Sequence, residues 1–341
     1  MTAASRPTTR RWGRALARHG ALSLGVAVVA LAAAITFGGP AEPAPMPAIN
    51  DPFRAMDRSG LPALSRFEAR DGTALAYRRY APQHGDARGS VVLVHGSSAS
   101  SLSMHALARA YAAAGFETYA LDVRGHGDSG TRGRIAYIGQ LEDDLADFVS
   151  SVALPPPSTL VGFSAGGGFA IRYAGSARQD DFASYLFLSP FISQDAPTFR
   201  RGGGGWVQVG VPRIVALTIL DALGLRVLQD LPVTRFALNE EARTLLTPAY
   251  SYALATNFRP QADYAGDLRA LRQPARLIAG TADETFVAEA FEAVVRVAAR
   301  PIPVQLLPEV GHAGLILQPA ALDAAVNAVV ELQSAHGRSA P

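Results

Sequence analysis

Apolar positions along this chain follow two rhythms: short uninterrupted runs, and longer stretches in which they recur every three or four residues. The runs Ser90 to Val94, Phe116 to Leu121, Thr159 to Val161, Tyr185 to Leu188, Ala275 to Ala279 and Val304 to Leu307 predict strands, most of them buried on both faces of a sheet. Helices are expected over about Leu102 to Ala114, Ile138 to Val152, Gly167 to Ala174, Val287 to Ala299 and Pro319 to Gln333. In the second of these, Leu141, Leu145, Phe148 and Val149 form one apolar stripe. Asp71-Gly72, between Phe67–Arg70 and Leu75–Tyr80, marks a hairpin. Strands alternating with helices predict an α/β fold, with a mostly parallel central sheet covered by helices on both faces.

The alternation breaks between Phe191 and Asp263, where no clean strand is legible. Gly202 to Gly205, an apolar helical stretch from Val209 to Leu228 and further helical pieces through Leu254 predict an inserted helical cap. Pro212, Arg213, Asp221 and Arg226 argue against a membrane span there. The stretch is expected to pack on the core, or else to line an acyl pocket or touch a lipid interface. The expected organisation is a basic segment at 1–20, an apolar segment at 21–37, a Pro/Ala-rich extended tether at 38–63, a core of 64–190 plus 264–335, and the cap at 191–263.

Charge sharpens the reading of the N-terminus. All 31 basic residues are arginine and the formal net charge is +2. Arg6, Arg10, Arg11, Arg14 and Arg18 precede the uncharged run from Ala21 to Phe37, so the remainder is near neutral and nucleic acid is not an expected partner. A basic flank before an apolar run suits a membrane anchor with the catalytic domain outside the cytoplasm. The run is also compatible with a signal peptide cleaved near Gly39-Pro40-Ala41, which would leave a secreted or periplasmic domain. The chain has no cysteine, which excludes disulfides, thiolate metal sites and a thiol nucleophile. No metal or other cofactor is expected.

The candidate chemistry centres on Gly162-Phe163-Ser164-Ala165-Gly166, a strand running into a helix through Gly-x-Ser-x-Gly. A serine at such a turn is held out at the end of a sheet, with the first amides of the helix aimed at whatever it attacks. Asp283, in Gly280-Thr281-Ala282-Asp283-Glu284, and His312, in Gly311-His312, each follow a predicted strand of their own. In an open parallel sheet such loops share one edge, where ligands bind.

Together with His95-Gly96 and Asp122-x-Arg124-Gly125-His126-Gly127-x-Ser129, these motifs make residues 64 to 333 resemble the α/β-hydrolase superfamily. The chain looks most like the serine hydrolases grouped with monoacylglycerol lipases, lysophospholipases and the serine aminopeptidase S33 set. The resemblance implies Ser164 as nucleophile, His312 as base and Asp283 as acid, with Glu284 a rival for the last. It places one oxyanion amide at Ala165 and a second just after His-Gly at Ser97, with Ser98 left open. His95, Asp122, Arg124 and His126 are expected to pin loops by hydrogen bonding, Asp283 could also cap the helix after it, and Asp143 and Asp144 are expected on a solvated helix face. The resemblance implies a hydrolase, and the apolar cap and N-terminal segment turn the expectation towards carboxylic esters, lipid-like or of medium acyl length, in the manner of a lysophospholipase or monoacylglycerol lipase. An acyltransferase or peptidase would use the same triad, and a non-catalytic binding protein of this fold is the alternative from another class.

Overall fold

A computed structural model describes residues 8–54 and 56–337. Arg6 lies outside the described residues, as do the side chains of Arg10, Arg11 and Arg14. The chain opens with helix α1 (Thr8–Phe37), whose Arg18–Phe37 portion has a mean hydropathy of 2.2 and no fully buried residue. A short helix α2 (Pro47–Arg54) precedes the hairpin of β1 (Leu64–Glu68) and β2 (Ala74–Tyr80). Then follow β3 (Ser90–Val94), α3 (His105–Ala113), β4 (Glu117–Leu121), α4 (Gln140–Ser151), β5 (Ser158–Phe163), α5 (Ala165–Ala174) and β6 (Ser184–Leu188).

The inserted region comprises β7 (Val207–Val209), α6 (Val211–Ala222), β8 (Pro232–Phe236), α7 (Glu240–Leu245), β9 (Ala249–Ser251) and α8 (Tyr252–Asn257). The core resumes with α9 (Tyr264–Ala270), β10 (Ala275–Gly280), α10 (Phe291–Val295), β11 (Val304–Leu307) and α11 (Pro319–Gly337). Eight strands form the central sheet in the order β1-β2-β4-β3-β5-β6-β10-β11. β2 pairs antiparallel with β1 and β4, and every other pairing is parallel.

The continuous apolar runs have a direct cause in this arrangement. Along β3, Val92 and Val94 face a layer containing Phe148 of α4 and Phe169 of α5. Val91 and Leu93 face the opposite layer, with Leu107 and Tyr111 of α3 and Val329 of α11. Both faces of the strand are dry, so neither face carries polar residues.

Five expectations need correction. The cap is not purely helical: β7, β8 and β9 form a three-stranded antiparallel sheet. The strands are too short to display an alternating pattern, and Pro232 opens the longest of them. The helix expected up to Leu228 ends at Ala222, with Gly224 beyond it at φ 76°. Ala216 and Leu217 pack inward, whereas Val211, Val215, Ile219 and Leu223 are exposed by 57%, 53%, 47% and 68% along one stripe.

The segment after the apolar run is not a free extended tether either. It contains α2, buries Ile49 and Asn50, and bonds to the cap through the Met46 amide and the Ala237 carbonyl. Finally, Asp144 is buried rather than solvated. Arg124 reaches it through Nε and a terminal nitrogen, both at 2.7 Å, and also binds Asp71 at 2.9 Å. Asp143 is partly exposed and pairs with Arg70 at 2.8 Å and Arg178 at 2.6 Å. The helix from Val287 is likewise shorter than expected, a single tight turn at Ala288–Ala290 followed by α10.

Arg124 ties the loop after β4 to both the hairpin and α4. Removing it leaves Asp144 buried without its counter-charge, an arrangement that typically costs about 3–5 kcal/mol. Arg124→Ala is expected to lose stability on that scale in urea denaturation. A midpoint equal to wild type would contradict this role.

Candidate active site

β5 ends at Phe163 and α5 begins at Ala165, so Ser164 alone makes the turn. It adopts φ 55°, ψ −119°, a left-handed conformation that costs a non-glycine residue about 1–3 kcal/mol. The flanking glycines are required sterically. A Cβ on Gly162 would lie 2.3 Å from the Gly166 carbonyl oxygen, and one on Gly166 would lie 2.4 Å from the carbonyl oxygens of Val94 and His95. Three backbone bonds hold the turn. The Ser164 amide donates to Leu188 O at 2.9 Å, and its carbonyl accepts from Gly168 at 3.0 Å and Phe191 at 2.9 Å.

The loops after β10 and β11 bring Asp283 and His312 to the same edge. The Ala282 amide donates to Val310 O at 3.1 Å, locking one loop to the other. His312 Nε2 lies 3.0 Å from Ser164 Oγ, and His312 Nδ1 lies 2.8 Å from Asp283 Oδ2. The other oxygen of Asp283 accepts from the amides of Thr285 at 2.8 Å and Phe286 at 2.9 Å. One carboxylate thus caps the following turn and fixes the ring. With Nδ1–H donating to Asp283, the neutral ring presents its lone pair on Nε2 to the serine hydroxyl.

Ser164, His312 and Asp283 are all buried, at 6%, 6% and 2% exposure. Phe163 and Phe286 flank the imidazole, with ring centroids 4.7 Å and 5.3 Å away. Burial works against the charge on Asp283. The adjacent His312, with the hydrogen bonds from it and from the Phe286 and Thr285 amides, outweighs burial and holds the carboxyl below its ordinary value. Glu284 acts elsewhere on the same residue, its carboxylate accepting the backbone amide of His312 at 2.8 Å. The neighbouring acids therefore divide the histidine between them, Asp283 taking the ring and Glu284 the main chain.

Ser97 and Ala165 line the same recess as Ser164. Among the described residues no group accepts from either amide. The Ser98 amide, by contrast, donates to the Tyr250 hydroxyl, and the Ser98 hydroxyl donates to Thr247 O at 2.6 Å. Ser98 adopts φ 68°, which turns its amide towards the cap.

The remaining motif residues are pins. His95 Nε2 accepts the Val123 amide at 3.2 Å, and Asp122 accepts the amides of Ser101 at 2.7 Å and Asp128 at 2.9 Å. His126 Nε2 meets the Tyr250 hydroxyl at 2.6 Å. Burial pushes the pKa of both imidazoles down and keeps them neutral.

Two cavities meet at Ser164. The larger, about 680 Å³, contains His312 and is walled by side chains including Leu102, Leu245 and Leu246. The smaller, about 90 Å³, is lined by Ala165 and by aromatic residues including Phe191, Phe199 and Phe286. Trp206 lies between them and donates from Nε1 to Ser97 Oγ at 2.9 Å. Arg200 Nε donates to the carbonyls of Asp283 at 3.2 Å and Phe286 at 3.0 Å, clamping the acid's loop. Neither residue was expected at the site. Both flank the glycine run Gly202 to Gly205, whose positive φ angles are the only local signal of the fold-back that brings them there. Among the described residues no group of three or more His, Cys, Asp or Glu is placed to hold a metal ion.

The sheet order, its antiparallel leading edge and the serine turn after β5 define the class: this is an α/β-hydrolase. A soluble variant of monoglyceride lipase from Saccharomyces cerevisiae, solved with a substrate analogue, has this fold, with a TM-score of 0.63 at 16% identity over 83% of this chain and 98% of its own. A bacterial membrane phospholipase A matches with a TM-score of 0.57 at 17% identity, over 97% of this chain and 100% of its own. Residues 85–316 match the family described as serine aminopeptidase, S33, and the chain belongs to that family. A monoacylglycerol lipase of Mycolicibacterium smegmatis is 31% identical over 128 residues, 36% of this chain, and the match spans 44% of that lipase's length.

The lowered pKa of Asp283 has a definite consequence for stability. Its charge stabilises the fold at pH values above the unfolded pKa of about 4, and that contribution fades as the pH falls through the lower folded value. Asp283→Asn is expected to unfold at a lower temperature than wild type near neutrality, and the gap should close in acid. A gap that persists unchanged well below about pH 4 would contradict the assignment.

Proposed function

We propose that the protein is a serine hydrolase of carboxylic esters with lipid-like or medium-length acyl groups. The observation that carries the proposal is the unbroken relay from Ser164 Oγ through His312 to Asp283. In this reading Ser164 Oγ attacks the ester carbonyl while His312 Nε2 takes its proton. The tetrahedral oxyanion accepts hydrogen bonds from the amides of Ser97 and Ala165, each typically worth about 3 kcal/mol in the transition state. His312 returns the proton to the departing alcohol, leaving an acyl group on Ser164. Water then attacks the acyl carbon as it gives a proton to His312, and His312 passes that proton to Ser164 Oγ as the acid departs. Asp283 holds the ring in the productive tautomer and stabilises its cationic form.

The preference for lipid-like esters is supported by the apolar walls of the larger cavity beside Ser164. The monoacylglycerol lipase relative points the same way. We also propose that α1 is retained as a membrane anchor, with the catalytic domain outside the cytoplasm. Arg213 of the cap supports this. Its Nε donates to Ile35 O at 2.7 Å and a terminal nitrogen to Thr36 O at 3.1 Å, so a cation closes the C-terminal end of the apolar helix.

Ser164→Ala is expected to abolish labelling by a fluorophosphonate probe and to lower ester kcat/KM by at least ~10³-fold. Labelling that survives the substitution would remove the nucleophile assignment. For the anchor, the protein should remain in the membrane pellet after an alkaline carbonate wash. A mature N-terminus at or beyond Ala41 would refute retention.

A further inference from the structure

The segment between α1 and β1 lies outside the residues that match the family, 85–316, yet it forms one wall of the larger cavity. Ile49, Phe53 and Met56 line that cavity together with Ser164 and His312. The wall is fastened at both ends. At its start, Glu42 pairs with Arg235 and Arg243 of the cap. Asn50 is buried, and its side-chain nitrogen donates to the carbonyls of Met46 at 2.6 Å and Ala237 at 2.8 Å. The Met46 amide donates to Ala237 O at 2.9 Å, and the Asn239 amide to Asn50 Oδ1 at 3.4 Å. At its far end, Asp57 pairs with Arg109 of α3 at 3.0 Å, and Ser59 O meets His105 Nε2 at 3.2 Å.

Between these fixings the segment crosses from cap to core, and α2 packs beside the turn Ala313–Ile316 that follows His312. Ile49 is 8% exposed and joins the main hydrophobic cluster. Beside Asn50, three of the side chains that line the cavity from this segment, Ile49, Phe53 and Met56, are aliphatic, aromatic and thioether groups, which recognise a hydrocarbon chain by area and shape. Arg54 and Arg58 also line the cavity. Arg54 reaches Asp51 at 3.2 Å and Glu241 at 3.5 Å, so its charge is matched.

We infer that residues 46–58 are a specificity element of the site, in which Ile49, Phe53 and Met56 hold the hydrocarbon chain of the ester and set its preferred length. The inference rests on the ester-hydrolase reading above, and it assigns substrate recognition to a segment outside the residues that match the family. It also gives the juxtamembrane position of the segment a purpose: the wall that touches the chain begins a few residues after the anchor ends.

The test uses the full-length protein in detergent micelles. kcat/KM is measured for p-nitrophenyl butyrate, octanoate and palmitate with wild type, Phe53→Ala and Phe53→Leu. Phe53→Ala should lower the palmitate-to-butyrate ratio about tenfold, and Phe53→Leu should recover most of it. A ratio within about twofold of wild type in Phe53→Ala would overturn the inference, because a purely structural role lowers both esters together. A second measurement does not need turnover. Palmitic acid carrying a photoreactive diazirine on its chain, bound to Ser164→Ala, should label the peptide spanning 46–58. Label there without Ser164-dependent ester turnover would sustain the wall and remove the ester-hydrolase reading. Turnover with label confined to other walls would do the reverse.

Discussion

The site depends on one backbone constraint, the left-handed conformation of Ser164 between a strand and a helix that nearly touch. No residue with a Cβ fits at Gly162 or Gly166, because each would press on a carbonyl oxygen within 2.4 Å. The strain at Ser164 survives because its own amide and carbonyl are both engaged, and one partner is the amide of Phe191, the first residue of the inserted region. The turn is therefore stabilised by the segment that also roofs it. Because the helix starts immediately after the serine, the Ala165 amide has no intrahelical acceptor and stays available beside the hydroxyl.

A second set of constraints fixes the other free amide, at Ser97. The Tyr250 hydroxyl accepts the Ser98 amide and so donates its own proton to His126 Nε2. His126 then carries its proton on Nδ1, which faces the Val123 carbonyl at 3.2 Å. His95 takes the Val123 amide from the other side. Burial keeps both rings neutral, so this network has no charge to relax. Its consequence is geometric. The loop after β3 that carries Ser97 is tied through the Ser98 amide to a tyrosine of the cap sheet, so the cap is joined to the frame of the candidate site.

Much of this was legible in the sequence, for reasons that differ by element. Continuous runs such as Ser90 to Val94 announced strands because both sheet faces are dry, and the serine turn announced itself because its glycines are sterically compulsory. Asp283 and His312 could be placed because each lies in the loop that follows a strand, β10 and β11. The failures share a cause: they concern contacts between distant segments. Asp144 read as solvated because its partner Arg124 comes from another loop. The strands β7 to β9 read as coil or helix because their pairing, not their pattern, makes them strands. Residues 38–63 read as tether because proline and alanine say little about a surface supplied by Ala237 and Asn239. Glu284 stood as a rival to Asp283 because adjacency in sequence does not reveal which carboxylate meets the ring and which meets the backbone.

The position of α1 follows from the same kind of long-range contact. Gly38, at the end of α1, lies so close to the cap that a Cβ there would come within 2.7 Å of the Pro212 side chain. Arg213, the next residue, holds the last carbonyls of α1 and also donates to Pro232 O at 2.8 Å, at the entry to β8. β8 in turn leads to Ala237, the carbonyl on which Met46 and Asn50 are hung. The end of the apolar helix, the cap sheet and the cavity wall are thus joined by consecutive hydrogen bonds. A displacement of α1 relative to the cap must be absorbed either at the Arg213 contacts or along the wall that lines the cavity. The same few residues thus join the C-terminal end of α1 to the cap sheet and to the wall of the larger cavity.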